Sequence, residues 1–211
     1  SGKDDHSGSS GGSTSSHESS HSSGSSSGSS HSDHSGKDDS HGFAGCPVIL
    51  DLDGNGVSVT PLGSSTMFVD TDGDGQKHRT AWAGAGDGVL VLDLNNDGTI
   101  TEKAEYVFTD WDSTAEGDFE ALRNVFDTNH NGQLDAGDER FSEFKVMVNG
   151  QMVSLASLGI ASIGLTAIGS GQSFADGSAI TGMSSFTRTN GTTGLVGDAT
   201  LRGRRRVLEL R

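Results

Sequence analysis

Apolar residues in this chain come in short uninterrupted runs, and each run leads straight into an Asp-rich loop. Val48-Ile49-Leu50, Met67-Phe68-Val69 and Val89-Leu90-Val91-Leu92 are of this kind. Such runs, bounded by turn residues, predict short buried strands. A different period holds over residues 118–126, where Phe119, Leu122 and Phe126 recur at spacings of three and four. That spacing predicts a helix, with Asp118 suited to its N-cap. Residues 136–143 read as a second helix. After Phe144 the pattern returns to short strands and turns, with Asn149-Gly150 as a hairpin signal. The Gly-punctuated apolar stretch from Leu155 to Ile168 reads as a short helix followed by a strand. Together these elements predict an α+β fold: a small mixed domain of short strands with Asp-rich loops and one EF-hand-like helix–loop–helix.

The first 42 residues have no such pattern. They hold 27 Ser or Gly and no large apolar residue, so they cannot bury a core and read as a disordered linker. A short repeat frames them, Ser1-Gly-Lys-Asp-Asp-His and Ser35-Gly-Lys-Asp-Asp-Ser-His. Six of the eight histidines lie here (His6, His17, His21, His31, His34 and His41), at irregular spacings that suit a soluble spacer better than a metal tract. The composition changes at Phe43, which divides the chain into a linker (1–42), a folded domain (43–201) and a basic tail (202–211).

Composition narrows the function. Only 31% of the 211 residues are apolar, and the net charge is −15. The folded part carries that acidity, with 22 acidic and 7 basic residues between 43 and 201. An acidic surface repels nucleic acid and anionic membranes. No stretch approaches the roughly 20 apolar residues of a membrane span. One cysteine, Cys46, cannot make an internal disulfide. A small apolar core without disulfides needs another staple, and bound metal is one. The chain opens on Ser1 without a signal peptide, and reads as the C-terminal piece of a longer polypeptide.

Four loops offer that metal site. Each carries an Asp, then Asp or Asn two and four residues later, then Gly at the sixth position. They are Asp51-x-Asp53-x-Asn55-Gly56, Asp70-x-Asp72-x-Asp74-Gly75, Asp93-x-Asn95-x-Asp97-Gly98 and Asp127-x-Asn129-x-Asn131-Gly132. Ca²⁺ wants six to eight oxygens at about 2.3–2.6 Å, and alternate side chains of a tight loop converge on one point. The fourth loop continues with Gln133, with Leu134 as an apolar anchor and Asp138 at the twelfth position. The third places Thr99 seventh, and Glu105 can close it at the thirteenth. The first two lack a closing acid, which Asp87, Asp110, Asp112 or Glu116 could supply. Loops with two or three carboxylates bind Ca²⁺ weakly, on the order of 10⁻⁵ to 10⁻³ M. That range suits an extracellular setting, where one filled site adds about 2.7 kcal/mol at hundredfold excess. Domain folding is therefore expected to depend on Ca²⁺.

The order of motifs resembles a known family. Pro47-Val-Ile-Leu-Asp-Leu-Asp-Gly, Phe68-Val-Asp-Thr-Asp-Gly-Asp-Gly, Thr80-Ala-Trp-Ala, Asp87-Gly-Val-Leu-Val-Leu-Asp-Leu-Asn and Ser185-Phe-Thr-Arg-Thr-Asn-Gly-Thr-Thr occur in sequence. They look like the calcium-dependent self-processing module of RTX (hemolysin-type) exoproteins of the iron-regulated kind. The resemblance covers about residues 46–201. It implies type I secretion, an extracellular location, Ca²⁺-induced folding and attachment to an upstream part of the same polypeptide. In some members it also implies cleavage of an Asp-Pro bond just before the module. Here the residue before Pro47 is Cys46, so the carboxylate nucleophile is absent. The further calcium loop expected near Val146–Val153 has no acid. The resemblance therefore points to a calcium-binding structural module, with processing at the Cys46-Pro47 bond as the alternative.

Overall fold

The computed structural model describes residues 41–169 and 171–204. Most of the expected linker and of the expected tail lies outside the described residues. The first strand nevertheless begins at His41 and the last ends at Arg204.

The strands are β1 (His41–Gly45), β2 (Val48–Asp51), β3 (Val59–Thr60), β4 (Phe68–Val69), β5 (His78–Arg79), β6 (Trp82–Ala83) and β7 (Asp87–Leu92). After the helix α1 (Asp118–Val125) come β8 (Gln133–Asp135), β9 (Phe144–Val148), β10 (Gln151–Ser154), β11 (Ile160–Gly164), β12 (Ala179–Arg188) and β13 (Thr193–Arg204). Eight of the strands form a path β10-β9-β7-β2-β13-β12-β11-β8, and β1 also pairs with β13. Every pairing in this sheet is antiparallel, and the sheet curls into a half-barrel. The small pairs β3–β6 and β4–β5 stand apart from it.

The central strands are buried on both faces, which explains their uninterrupted apolar runs. Val48, Leu50, Leu90, Leu92 and Val146 pack with Phe108, Phe119, Leu122 and Phe126 on one side. Ile49, Val89, Val91 and Met147 pack with Val57, Val59, Val69 and Tyr106 on the other. Alternate residues of a strand point to opposite faces, so two covered faces require apolar residues at every position.

This architecture overturns the expected α+β fold. The described residues form a mostly β structure with one α-helix, and no EF-hand helix–loop–helix is present. Residues 133–135 instead pair with β11, placing Leu134 opposite Ile163. Residues 136–143 form turns and a 3₁₀ segment, Phe141–Glu143. The physical reason is burial. Helix α1 inserts Phe119, Ala121 and Leu122 into the core, while 136–143 offers only the half-buried Phe141. A short helix without an apolar face to bury is not stable in water. The helix expected after Leu155 is likewise replaced by a turn before β11. Gly117, not Asp118, occupies the N-cap of α1. The hairpin signal holds, since Asn149 (φ 50°) and Gly150 (φ 76°) join β9 to β10 in a two-residue turn.

Candidate metal centre

The four Asp loops share one backbone design. The first Asp of each turns its carboxylate back onto the loop's own N–H groups. Asp51 accepts from Gly54 N (2.7 Å) and Gly56 N (2.9 Å), and Asp70 from Gly73 N (2.7 Å) and Gly75 N (2.8 Å). Asp93 accepts from Asp97 N (3.1 Å) and Gly98 N (3.2 Å), and Asp127 from Asn131 N (3.0 Å) and Gly132 N (2.8 Å). The sixth-position glycines all have positive φ. So does the fourth position of every loop: Gly54, Gly73, Asn96 (φ 56°) and His130 (φ 58°). Asn and His tolerate this left-handed conformation better than most residues. The role of His130 is thus conformational, which its sequence position beside acidic residues did not reveal.

The first loop ends β2, and its neighbour across the sheet is the start of β7, where Asp51 pairs directly with Asp87. Carboxylate oxygens of Asp51, Asp53 and Asp87 lie within 4.8 Å of one another. Asp51 and Asp87 are buried and Asp53 is exposed. Asn55 Nδ2 donates to Asp53 Oδ2 at 2.8 Å. Burial raises the Asp87 carboxyl above the usual range, hydrogen bonds from Ser58 oppose this, and the charges of Asp51 and Asp53 add to it.

In the second loop Asp72 and Asp74 gather with His78 from β5, their ligand atoms within 4.8 Å. His78 Nε2 lies 3.7 Å from Asp74 Oδ1 and 4.0 Å from Asp72 Oδ1. The sequence separates His78 from this loop only by Gln76 and Lys77, yet nothing in its spacing marked it as a partner.

The third loop brings Asp93, Asn95, Asp97 and Thr99 together, with a neighbour that the spacing could not show. Lys145 on β9 places Nζ 2.8 Å from Asp93 Oδ2. Burial works to raise Asp93, but the Lys145 hydrogen bond, Gly98 N and the Lys145 charge hold it below the usual range. Glu105 is fully buried and turns its carboxylate onto Leu94 N, Thr101 N and Glu102 N. Asp97 accepts from both Thr99 N and Thr99 Oγ1, which hold its carboxyl below the usual range.

In the fourth loop Asp138 accepts from Asn129 N (3.2 Å) and Asp135 N (2.9 Å). Asn129 and Asn131 donate their side-chain amides to Asp135. Gln133 is exposed at the start of β8. Asp110 and Asp112 are engaged elsewhere, Asp110 with Lys103 at 3.1 Å and Asp112 with Thr114 and Asn124.

The Cys46-Pro47 bond lies between β1 and β2, both of which pair with β13, and Pro47 O accepts from Ala199 N at 2.9 Å. Cys46 is half-buried, with Sγ 3.9 Å from Thr200 Oγ1. Burial first, then the negative charge of Asp118, raises its thiol above the usual range. Asp118 and Asp198 form a buried acidic pair nearby. Asp118 accepts from Phe108 N and Thr109 N, and Asp198 from Phe119 N. Burial pushes Asp198 up to about 6. Burial and the charge of Asp198 raise Asp118 as well. Neither acid stood out in the sequence as part of a pair, because 79 residues separate them in the chain.

Comparison with known proteins gives two findings. The family profile described as "SPM domain" matches residues 48–202. The iron-regulated protein FrpA of Neisseria meningitidis serogroup C is 31% identical over 169 residues, covering 74% of this chain and 15% of that protein. The chain thus spans about 15% of the length of that relative.

Proposed function

Because the chain belongs to the SPM domain family, we propose that residues 43–201 are a calcium-binding structural module of a secreted RTX-like protein, folding when it meets Ca²⁺ outside the cell. The observation that carries this reading is the recurrence of one loop backbone at four places, with left-handed residues at positions four and six. Each loop converges oxygen-bearing side chains beside a tight turn, which suits a hard divalent ion. The donors are Asp51, Asp53 and Asn55; Asp70, Asp72 and Asp74; Asp93, Asn95, Asp97, Thr99 and Glu105; and Asp127, Asn129, Asn131, Gln133 and Asp138. The relative's name places it among iron-regulated proteins, and the RTX resemblance supports export by a type I secretion machinery with an upstream polypeptide attached. Among the described residues no helix is long and apolar enough to cross a membrane.

Calcium supplies charge neutralisation here. It offsets carboxylate repulsion that otherwise opposes folding, and each filled site adds about 2.7 kcal/mol at hundredfold excess over its dissociation constant. Far-UV circular dichroism in chelator and in millimolar CaCl₂, with calorimetric titration for stoichiometry, tests this. The expected result is a large gain of β signal on adding calcium. An unchanged folded spectrum in chelator, with no heat of binding, overturns it.

Self-processing at Cys46-Pro47 is the weaker reading. A thiol kept protonated by burial and by two neighbouring acids is a poor nucleophile. Intact mass after calcium addition is expected to stay that of the whole chain. A split between Cys46 and Pro47 would restore the enzymatic reading.

A further inference from the structure

The end of β2 and the start of β7 hold an arrangement that repels itself. Asp51 and Asp87 are directly opposite in an antiparallel pair, and both are at least 96% buried. Like charges directly opposite in a sheet are destabilising. A third carboxylate, Asp53, joins them within 4.8 Å. Among the described residues no Lys, Arg or His forms an ion pair with any of the three.

Asp87 shows what is missing. Its Oδ2 accepts from Ser58 N and Ser58 Oγ, both at 2.8 Å. Its Oδ1 is buried and has no hydrogen-bond partner. An orphaned buried carboxylate oxygen costs on the order of 1–3 kcal/mol, more when charged. Gly86 (φ 86°) completes the cradle, since a Cβ there would collide with the Asp53 carboxylate. Asp53 can therefore lie against the start of β7 only because position 86 has no side chain.

We propose that Asp87 is the ligand that closes the first loop, so that a divalent cation sits on Asp51, Asp53 and Asp87 across the β2–β7 pair. The donor set is all carboxylate oxygen, which selects a hard ion of the calcium class over thiolate- or imidazole-seeking metals. The inference rests on the calcium reading above. It adds that this site is built by strand pairing rather than by the loop alone. The ion then fastens the end of β2, the strand that begins directly after Cys46-Pro47, to the sheet.

The test is calorimetric titration of the full chain with CaCl₂. Asp87→Asn is expected to lose one ion relative to wild type, and Asp53→Asn the same one. The double variant is expected to lose one ion only, because both residues serve one site. Thermal scans add a change of sign. Asp87→Asn should melt above wild type in chelator, where a repelling charge is gone, and below it in calcium. A variant that keeps every wild-type ion, a double variant that loses two, or an Asp87→Asn gain in both conditions overturns the proposal. No binding by wild type would instead sink the broader calcium reading. Amide exchange guards against an unfolded Asp87→Asn. Calcium should slow Gly88 and Val89 in wild type but not in Asp53→Asn, whose mutated side chain is exposed. Slowing confined to residues 51–56 in wild type, or unchanged slowing at Gly88 and Val89 in Asp53→Asn, refutes the bridge.

Discussion

Lys145 shows how one side chain changes the meaning of a loop. Its ammonium already occupies the buried carboxylate of Asp93, so the third loop holds a cation from the chain itself. Lys145→Ala leaves Asp93 uncompensated. Thermal unfolding in chelator is expected to show a loss of about 1–3 kcal/mol, since removing one partner strands a buried charge. In millimolar calcium the loss should shrink, because the ion can take the place of the amine. An equal loss in both conditions would show that calcium never reaches this loop. Asp198 makes a second case. Its folded carboxyl is at about 6, above that of an unfolded Asp, so its contribution to stability is full below about pH 4 and is lost as pH rises through 6. Asp118 is shifted in the same direction. Asp198→Asn cannot ionise and still offers an acceptor to Phe119 N. Urea unfolding at matched pH should find it more stable than wild type by on the order of 2 kcal/mol at pH 8, with the gap closing near pH 4. A gap that is constant with pH would refute the assignment. Neither effect was legible in the chain. Lys145 lies 52 residues from Asp93 and Asp198 lies 79 from Phe119, and only the fold brings them together.

Elements were legible where local chemistry suffices. Asn149-Gly150 became a hairpin turn because both residues accept positive φ, and the flanking strands are in register from Val148↔Gln151 to Lys145↔Ser154. Gly150 has open space around its missing Cβ, so Gly150→Ala should cost conformational energy alone, about 1–2 kcal/mol. A denaturation midpoint equal to wild type would contradict this. Gly88 differs, because a Cβ there would run into Val146 on the neighbouring strand β9. The Val48 and Val89 runs read correctly as buried strands, since two-sided burial leaves no polar alternation to confuse the pattern. The second helix failed for a complementary reason. Asp and Gly at alternate positions mark a loop whether a helix or a strand follows it, and the strand Gln133–Asp135 won because β11 offered a pairing edge.

For the whole molecule, net acidity and a modest apolar fraction led to one expectation, that cations complete the fold. Calcium should therefore do more than screen charge. At equal ionic strength NaCl is expected to recover only part of the signal that CaCl₂ recovers in the circular dichroism experiment, because screening weakens repulsion without filling a site. Equal recovery by both salts would reduce the loops to ordinary acidic turns. By itself the sequence determined the four loops and their Asp-first, Gly-sixth geometry. Their hydrogen bonds close within about six residues, so nothing distant is needed to shape them. Only the tertiary structure decided what each loop faces: Asp87 for the first, His78 for the second, Lys145 for the third and Leu134 paired into a sheet for the fourth. Most of those partners arrive through strand order and register, which depend on the balance of packing over the whole sheet and leave no local mark in the chain.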